Sequence, residues 1–182
     1  MNIYFIVAVV VILGIFLWFL YNSIIVAKMR VSESLSQIDV QLKRRADLIP
    51  NLVETVKGYA KHEKNLFEKV TQERASLVSA KGLEDKAKVN NQLTETFKSI
   101  FAVAESYPEL KASQNFLELQ EEVSDTEDKI AYARQFYNSN VLDYNTKLQV
   151  FPNVLFAKLF NFKNAEFFGA SEEEKKSIKV SF

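Results

Sequence analysis

The hydrophobic pattern of this chain begins with a long uncharged stretch. No charged residue occurs between positions 3 and 26, and residues 3–21 read IYFIVAVVVILGIFLWFLY. A helix rises about 1.5 Å per residue, so roughly 20 such residues cross a hydrocarbon layer about 30 Å thick. The pattern therefore predicts a membrane span that begins at Ile3, with Trp18 and Tyr21 as aromatic anchors at its far end.

A secretory signal peptide and a buried core helix are the alternative explanations of this run. A signal peptide needs a basic amino-terminal region, a shorter apolar core and small residues at a cleavage site, and the chain lacks this combination. A core helix of this length is expected to show a polar face. A retained span is therefore the better interpretation.

Basic residues follow the span and do not precede it. Lys28 and Arg30 come directly after the run, and Lys43, Arg44 and Arg45 follow within about twenty residues of it. Basic residues next to a span favour the cytoplasmic side. We therefore expect the amino terminus outside the cell and the remainder of the chain in the cytoplasm.

Beyond the span, apolar residues recur at alternating steps of three and four, which is the heptad spacing of a packed helix face. The first series runs from Val31 to Ile49, and no glycine or proline separates it from the span. The membrane helix is therefore predicted to continue as a stalk to about Ile49. Pro50 is predicted to kink or break it, because proline lacks an N–H and disfavours helical geometry at the preceding residue.

Three further helices are predicted after Pro50. A second apolar series extends from Val53 to Leu77, a third helix covers residues 84–105, and a fourth carries an apolar stripe from Phe116 to Leu148. No segment shows the sustained alternation that is typical of strands.

The pattern as a whole predicts an all-α fold. We expect an elongated antiparallel helical bundle of about four long helices, with an N-terminal transmembrane helix continuous with the first bundle helix. The predicted division is a membrane helix over residues 1–27, a bundle domain over 28–150 and a Phe-rich carboxyl-terminal segment over 151–182.

Composition narrows the possible functions. Lys plus Arg and Asp plus Glu both number 23, which argues against a broad nucleic-acid surface. The absence of cysteine excludes disulfides, thiolate nucleophiles and cysteine-ligated metal sites.

The single histidine, His62, is interpreted as a solvated residue in mid-helix, since it has no second histidine to form a metal-binding pair. We predict no catalytic residue, no cofactor and no metal site.

Three charged residues occupy positions within the apolar series, where a charge is costly unless it is paired. They are Arg45 in the first series, and Glu63 and Arg74 in the second. One interpretation is that Arg45 or Arg74 meets a carboxylate such as Glu63 inside the bundle and fixes its register. The other is that the series frays there and the side chains reach solvent. The spacing alone leaves both open.

The fourth helix carries an acidic face. We interpret it as a solvated surface that pairs with basic residues of a neighbouring helix, because neither an ExxH motif nor a calcium-type loop accompanies it. Its members are Glu118, Glu121, Glu122, Asp125, Glu127 and Asp128.

The carboxyl-terminal segment is rich in phenylalanine and poor in charge. It could cap its own bundle, join subunits or lie on a membrane surface, and it is therefore the candidate self-association or membrane-surface segment. Its phenylalanines include Phe151, Phe156, Phe160, Phe162, Phe167 and Phe168.

Several long motifs resemble the bacterial LemA family. They are DVQLKRRADLIPNLVETVKGY at residues 39–59, YPEL at 107–110 and AYARQFYN at 131–138. The resemblance implies a single-pass protein of the bacterial inner membrane with a helical cytoplasmic bundle. The family has no agreed biochemical function, and a related branch takes part in building magnetosome membranes, which hints at membrane organisation.

The leading hypothesis for function is structural. The chain is expected to be a membrane-anchored helical scaffold or adaptor that self-associates and organises membrane or membrane proteins without catalysis. Its expected partners are the lipid bilayer, further copies of the chain and another membrane protein, but no nucleic acid. The alternative is a regulatory or accessory subunit of a membrane peptidase or sensor. A hydrolytic enzyme comes third, because no nucleophile–base set, phosphate loop or metal set is present.

Overall fold

The structure is a computed structural model that describes residues 3–169, and this part of the chain contains helices and no strand. The all-α prediction is therefore confirmed. Residues 170–182, the last part of the predicted Phe-rich segment, lie outside the described residues. The helices are α1 (Ile3–Tyr59), α2 (Lys64–Ser79), α3 (Leu83–Ala104), α4 (Pro108–Lys111), α5 (Gln114–Gln149) and α6 (Asn153–Leu159).

The first helix is continuous over 57 residues, so the span and the stalk are a single helix as predicted. Of the two alternatives predicted at Pro50, the break is wrong, because Pro50 lies inside α1 and the helix ends only at Tyr59, while the kink stays a prediction. Proline removes one hydrogen bond from a helix, the one to the carbonyl four residues earlier. Here that carbonyl belongs to Ala46, and the side chain of Arg74 on α2 supplies a donor to it.

The chain reverses at residues 60–63 instead. The Ala60 N–H donates to the Val56 carbonyl and the Glu63 N–H donates to the Ala60 carbonyl, which closes a short turn between α1 and α2. The buried side chains of Val56 and Ala60 before the turn, and Phe67 after it, keep the three–four spacing across the reversal. The predicted uninterrupted helix from Val53 to Leu77 is therefore two helices.

The chain forms two compact units. The first unit contains residues 3–36 and 136–167, which are the amino-terminal part of α1, the end of α5, α6 and the loop that follows. By length and composition, α1 is the one helix among residues 3–169 that could cross a membrane. The core of this unit consists of Ile24, Ala27, Tyr144, Leu148 and Ala157.

The second unit contains residues 37–135 and 168–169. The contact between Arg74 and Ala46 shows that α2 runs back along α1. α3 runs in the same direction as α1, since Lys86 contacts Asp39 and Asn90 contacts Arg45. The Phe101 and Phe116 rings lie 6.0 Å apart where the chain reverses between α3 and α5, so consecutive helices are antiparallel. Its buried apolar residues include Ile38, Leu42, Ile49, Leu52, Val56, Val70, Leu93, Phe97, Ile100, Leu110, Val123 and Ile130.

Candidate functional site

An aromatic cluster surrounds Tyr21 at the end of the apolar run. The Tyr21 ring lies 5.3 Å from the Phe160 ring in an edge-to-face arrangement and 6.2 Å from the Phe162 ring. The Phe156 and Phe160 rings stack at 6.3 Å. Part of the Phe-rich segment therefore packs on the residue predicted to anchor the span at the bilayer interface.

The end of α6 turns these rings toward Tyr21. Asn161 adopts a left-handed conformation with φ 54°, which asparagine tolerates better than most residues. The Phe162 N–H then donates to the Ala157 carbonyl at 2.9 Å, as in a Schellman cap. This cap places Phe160 and Phe162 on either side of a tight turn, so that both rings reach Tyr21.

Hydrogen bonds from α5 fasten the following loop. The Tyr144 hydroxyl donates to the Lys163 carbonyl at 3.1 Å. The Asn145 side chain donates to the Ala165 carbonyl at 2.9 Å and accepts from the Ala165 N–H at 2.8 Å. Burial raises the pKa of the Tyr144 hydroxyl above its ordinary value. Residues 156–165 of the Phe-rich segment are thus held by α5 on one side and by Tyr21 on the other.

One face of this segment is left uncovered by the residues that the structure describes, 3–169. Ala157 is buried in the core of the first unit, whereas Leu155 and Leu159 are exposed and Phe151 is 80% exposed. Leu155 and Leu159 are four residues apart within α6, so they share one face of that helix, and Phe151 lies in the turn that precedes it. The remaining predicted residues divide between environments: Phe167 is partly exposed, and Phe168 is buried in the second unit.

A fully buried arginine lies in the second unit. Arg45 on α1 is 0% exposed, and its guanidinium donates to Asn90 Oδ1 at 2.7 Å and to Thr94 Oγ1 at 3.0 Å. Glu127 Oε2 lies 3.8 Å from Arg45 Nη2, and the guanidinium carbon lies 5.0 Å from the centre of the Phe97 ring. Residues from two other helices, α3 and α5, therefore converge on this one side chain of α1.

The charge of Arg45 is incompletely compensated. Burial lowers the pKa of the Arg45 guanidinium, and Glu127 opposes that effect. The shortest contacts come from neutral oxygens, and Arg45 Nε is buried without a hydrogen-bond partner in the described part of the chain. A buried charge held mainly by neutral groups depends on each of them. The arrangement fits a structural role that fixes helix register.

Arg74 has a different partner. Arg74 Nε donates to the Ala46 carbonyl at 2.8 Å. Ala46 precedes Pro50 by four residues, so its carbonyl is the one that loses its helical donor to the proline. Ala46 is buried, and a buried carbonyl without a donor is costly. Arg74 therefore supplies a donor to the carbonyl from which Pro50 removes the helical one.

The structure does not bring Glu63 together with either arginine. Glu63 immediately precedes α2, and its carbonyl accepts hydrogen bonds from the backbone of the first turn of that helix. His62 lies in the same turn and is exposed. The prediction that it lies in mid-helix is therefore wrong.

The acidic face of α5 is paired at one end. Asp125 bonds to Lys129 at 2.8 Å and lies 3.2 Å from Arg44, and its pKa is lowered first by the hydrogen bond from Lys129. Glu118, Glu121 and Glu122 are exposed, and no ion pair joins them to other residues of the 3–169 range. No group of three histidine, aspartate or glutamate side chains is placed to hold a metal within that range.

The comparison with known proteins covers most of the chain. A family model described as "LemA family" matches residues 34–182. The chain belongs to the LemA family. The resemblance in the motifs at 39–59, 107–110 and 131–138 is therefore confirmed.

Related proteins have similar descriptions. This LemA-family chain is 26% identical to Protein LemA of Metamycoplasma hominis over 98% of the chain and 83% of that protein. It is 24% identical to magnetosome protein MamQ 2 of Paramagnetospirillum magneticum over 81% of the chain, and it spans 64% of that protein's length. It is 22% identical to magnetosome protein MamQ of Magnetospirillum gryphiswaldense over the same share of each protein. None of these descriptions names a reaction.

Sequence reasoning missed several residues that organise this LemA-family structure. Pro50 gave a usable signal in the sequence. A proline inside a helix leaves the carbonyl four residues earlier without its usual donor, which predicts another donor for the Ala46 carbonyl. Asn90 carried a weaker one, as a polar residue one step from the apolar series of α3. Asn145 carried none, because its partner Ala165 is fixed by the path of a loop.

Proposed function

We propose that this protein is a membrane-anchored helical scaffold that self-associates, with its amino terminus outside the bacterial inner membrane and its bundle in the cytoplasm. The observation that carries the proposal is the continuity of α1, from the apolar run at Ile3 to Tyr59 in the second unit. A contact between the bundles of two copies is then connected, through one continuous helix in each copy, to the membrane span. The likeness to magnetosome proteins supports a role in membrane organisation.

The second unit offers a basic groove for such a contact. The groove has a volume of about 610 Å³ and lies between the end of α1 and α2. Val53, Phe67 and Ala75 contribute apolar lining, and Lys57 and Lys61 stand at its rim. A third lysine, Lys64, lies 3.7 Å from Glu68, so the lysines of the rim outnumber the carboxylate.

The acidic part of α5 has the complementary chemistry. Glu118, Glu121 and Glu122 are exposed, and Leu117 beside them is also exposed. We infer that this part of α5 in one copy docks into the groove of the next, with the leucine on the apolar lining and the glutamates near the lysines. Because the two surfaces differ, each copy can offer its groove to one neighbour and its acidic face to another, so that the contact can repeat from copy to copy.

Exchanging the charges tests this contact. The groove variant is Lys57→Glu, Lys61→Glu, Lys64→Glu, and the face variant is Glu118→Lys, Glu121→Lys, Glu122→Lys. Each variant alone is expected to run as a 20.9 kDa protomer in its micelle during sizing and cross-linking in detergent, because like charges meet at the contact. An equimolar mixture is expected to assemble again, because each altered surface meets an oppositely charged one.

The control reverses three exposed lysines elsewhere in the second unit. Lys81→Glu, Lys88→Glu, Lys111→Glu changes the net charge by the same amount as the groove variant and should leave assembly intact. A strictly monomeric wild type would contradict self-association, and assembly of either reversed variant alone would contradict this contact. Co-purification of a different protein at fixed stoichiometry would instead favour the accessory-subunit function.

A further inference from the structure

The uncovered apolar face of the Phe-rich segment lies beside the end of the membrane span. The face consists of Phe151, Leu155, Leu159 and Phe160, all of them exposed. Contiguous exposed apolar side chains on a protein surface usually mark a site that is covered by a partner or a membrane. The structure gives the depth of this face, because the opposite side of the segment is fastened to α1.

The contacts with α1 locate the segment along the helix axis. Phe160 packs on Tyr21, and Ala157 shares a core with Ile24 and Ala27. Ile24 and Ala27 lie about 5 Å and about 9 Å beyond Tyr21 along a helix. The headgroup layer on each side of a bilayer is roughly 5–8 Å deep, and interfacial helices sink about 5–10 Å into the headgroup and acyl boundary. With Tyr21 at the interface, the exposed face lies at headgroup depth.

The charges near this face fit a lipid surface. Lys158 and Lys163 are exposed within the segment, and Glu166 is the one carboxylate between positions 151 and 169. Basic residues next to exposed leucine and phenylalanine are typical of helices that lie on anionic membranes.

We propose that residues 151–163 of the Phe-rich segment lie on the cytoplasmic surface of the bilayer, with the side chains of Phe151, Leu155 and Leu159 inserted between lipids. The span and this segment then form two attachments to the membrane that are joined by the Tyr21 aromatic cluster. A span with a second attachment at its side cannot rotate freely about its own axis. The inference rests on the membrane anchoring in the proposed function and is independent of self-association.

Depth-dependent quenching in single-copy nanodiscs tests the proposal with the full chain. The chain has no cysteine, so Leu155→Cys and Leu142→Cys each provide one labelling site for an NBD fluorophore. Both positions are 59% exposed in the same unit, which makes them a matched pair. Leu142 lies on α5 about 9 Å from Leu148, on the side that leads away from the span. The discs contain phosphatidylglycerol and phosphatidylcholine, with or without lipid that is spin-labelled near the headgroup.

The label at position 155 is expected to show blue-shifted emission, at least twofold stronger quenching by the spin-labelled lipid than the label at 142, and weaker quenching by aqueous iodide. Equal iodide quenching at both positions, without lipid quenching at 155, would overturn the proposal. Protection of position 155 that occurs only in vesicles with many copies, and without lipid quenching, would also overturn it, because a second copy would then cover the face. Failure of the chain to co-elute with the discs would count against membrane anchoring itself.

Discussion

Replacing Asn90 with alanine is expected to lower the free energy of unfolding by about 3 kcal/mol, because it removes the shortest hydrogen bond to a buried charge. Asn90 Oδ1 accepts from Arg45 Nη1 at 2.7 Å, and Asn90 is itself buried. Glu127 cannot replace this hydrogen bond, because its Oε2 lies 3.8 Å from Arg45 Nη2 and its side chain is about half exposed. Urea unfolding of the full chain in detergent, followed by circular dichroism, measures the change.

Asn91 on the same helix provides the control. Asn91 is exposed, and Asn91→Ala should change the free energy of unfolding by less than about 0.5 kcal/mol. Arg45→Met alone should also destabilise, because it leaves the Asn90 amide buried without its partner. The double variant Arg45→Met, Asn90→Leu should recover most of that loss, since apolar side chains can replace a buried polar group together with its partner. An unfolding free energy for Asn90→Ala close to that of the wild type would show that Asn90 does not hold the guanidinium.

The helices of this fold could be predicted because apolar spacing records which side of each helix is buried. The series from Val31 onward and the stripe of α5 both lie where the spacing places them. The reversal at residues 60–63 could not be predicted in this way. Val56, Ala60 and Phe67 keep the three–four spacing through the turn, because both helices face the same core. A short turn that keeps the three–four spacing cannot be detected from the periodicity of apolar residues.

The same distinction applies to the candidate sites, because the sequence identifies unusual residues but not their tertiary partners. Arg45 could be singled out because a charge within an apolar series is costly, and the structure does bury it completely. Its hydrogen-bond acceptors on α3 could not be identified, because the register between helices 45 residues apart is set by tertiary packing. The Phe-rich segment could be recognised from composition, but its position beside the end of the apolar run is shown only by tertiary contacts such as that between Tyr21 and Phe160.

Restoring the missing donor at position 50 is expected to make Arg74 dispensable. Pro50→Ala should raise the free energy of unfolding by about 2 kcal/mol, because alanine returns an N–H to the interior of α1 and has a higher helix propensity. Arg74→Met in the wild type should lower it by about 2 kcal/mol, since the buried Ala46 carbonyl loses the hydrogen bond from Arg74 Nε at 2.8 Å. In the Pro50→Ala background the same arginine substitution should lower it by less than about 1 kcal/mol.

The four proteins form a double-mutant cycle whose coupling energy measures how far Arg74 compensates for Pro50. Arg74→Lys separates the hydrogen bond from the charge, because lysine keeps the charge but lacks the planar guanidinium whose Nε reaches the carbonyl. It should therefore behave like Arg74→Met in the wild type. Equal costs of Arg74→Met in both backgrounds would show that the arginine stabilises α2 independently of the proline. A coupling of about 1 kcal/mol or more would instead identify Arg74 as the donor that lets α1 continue past Pro50 to the turn.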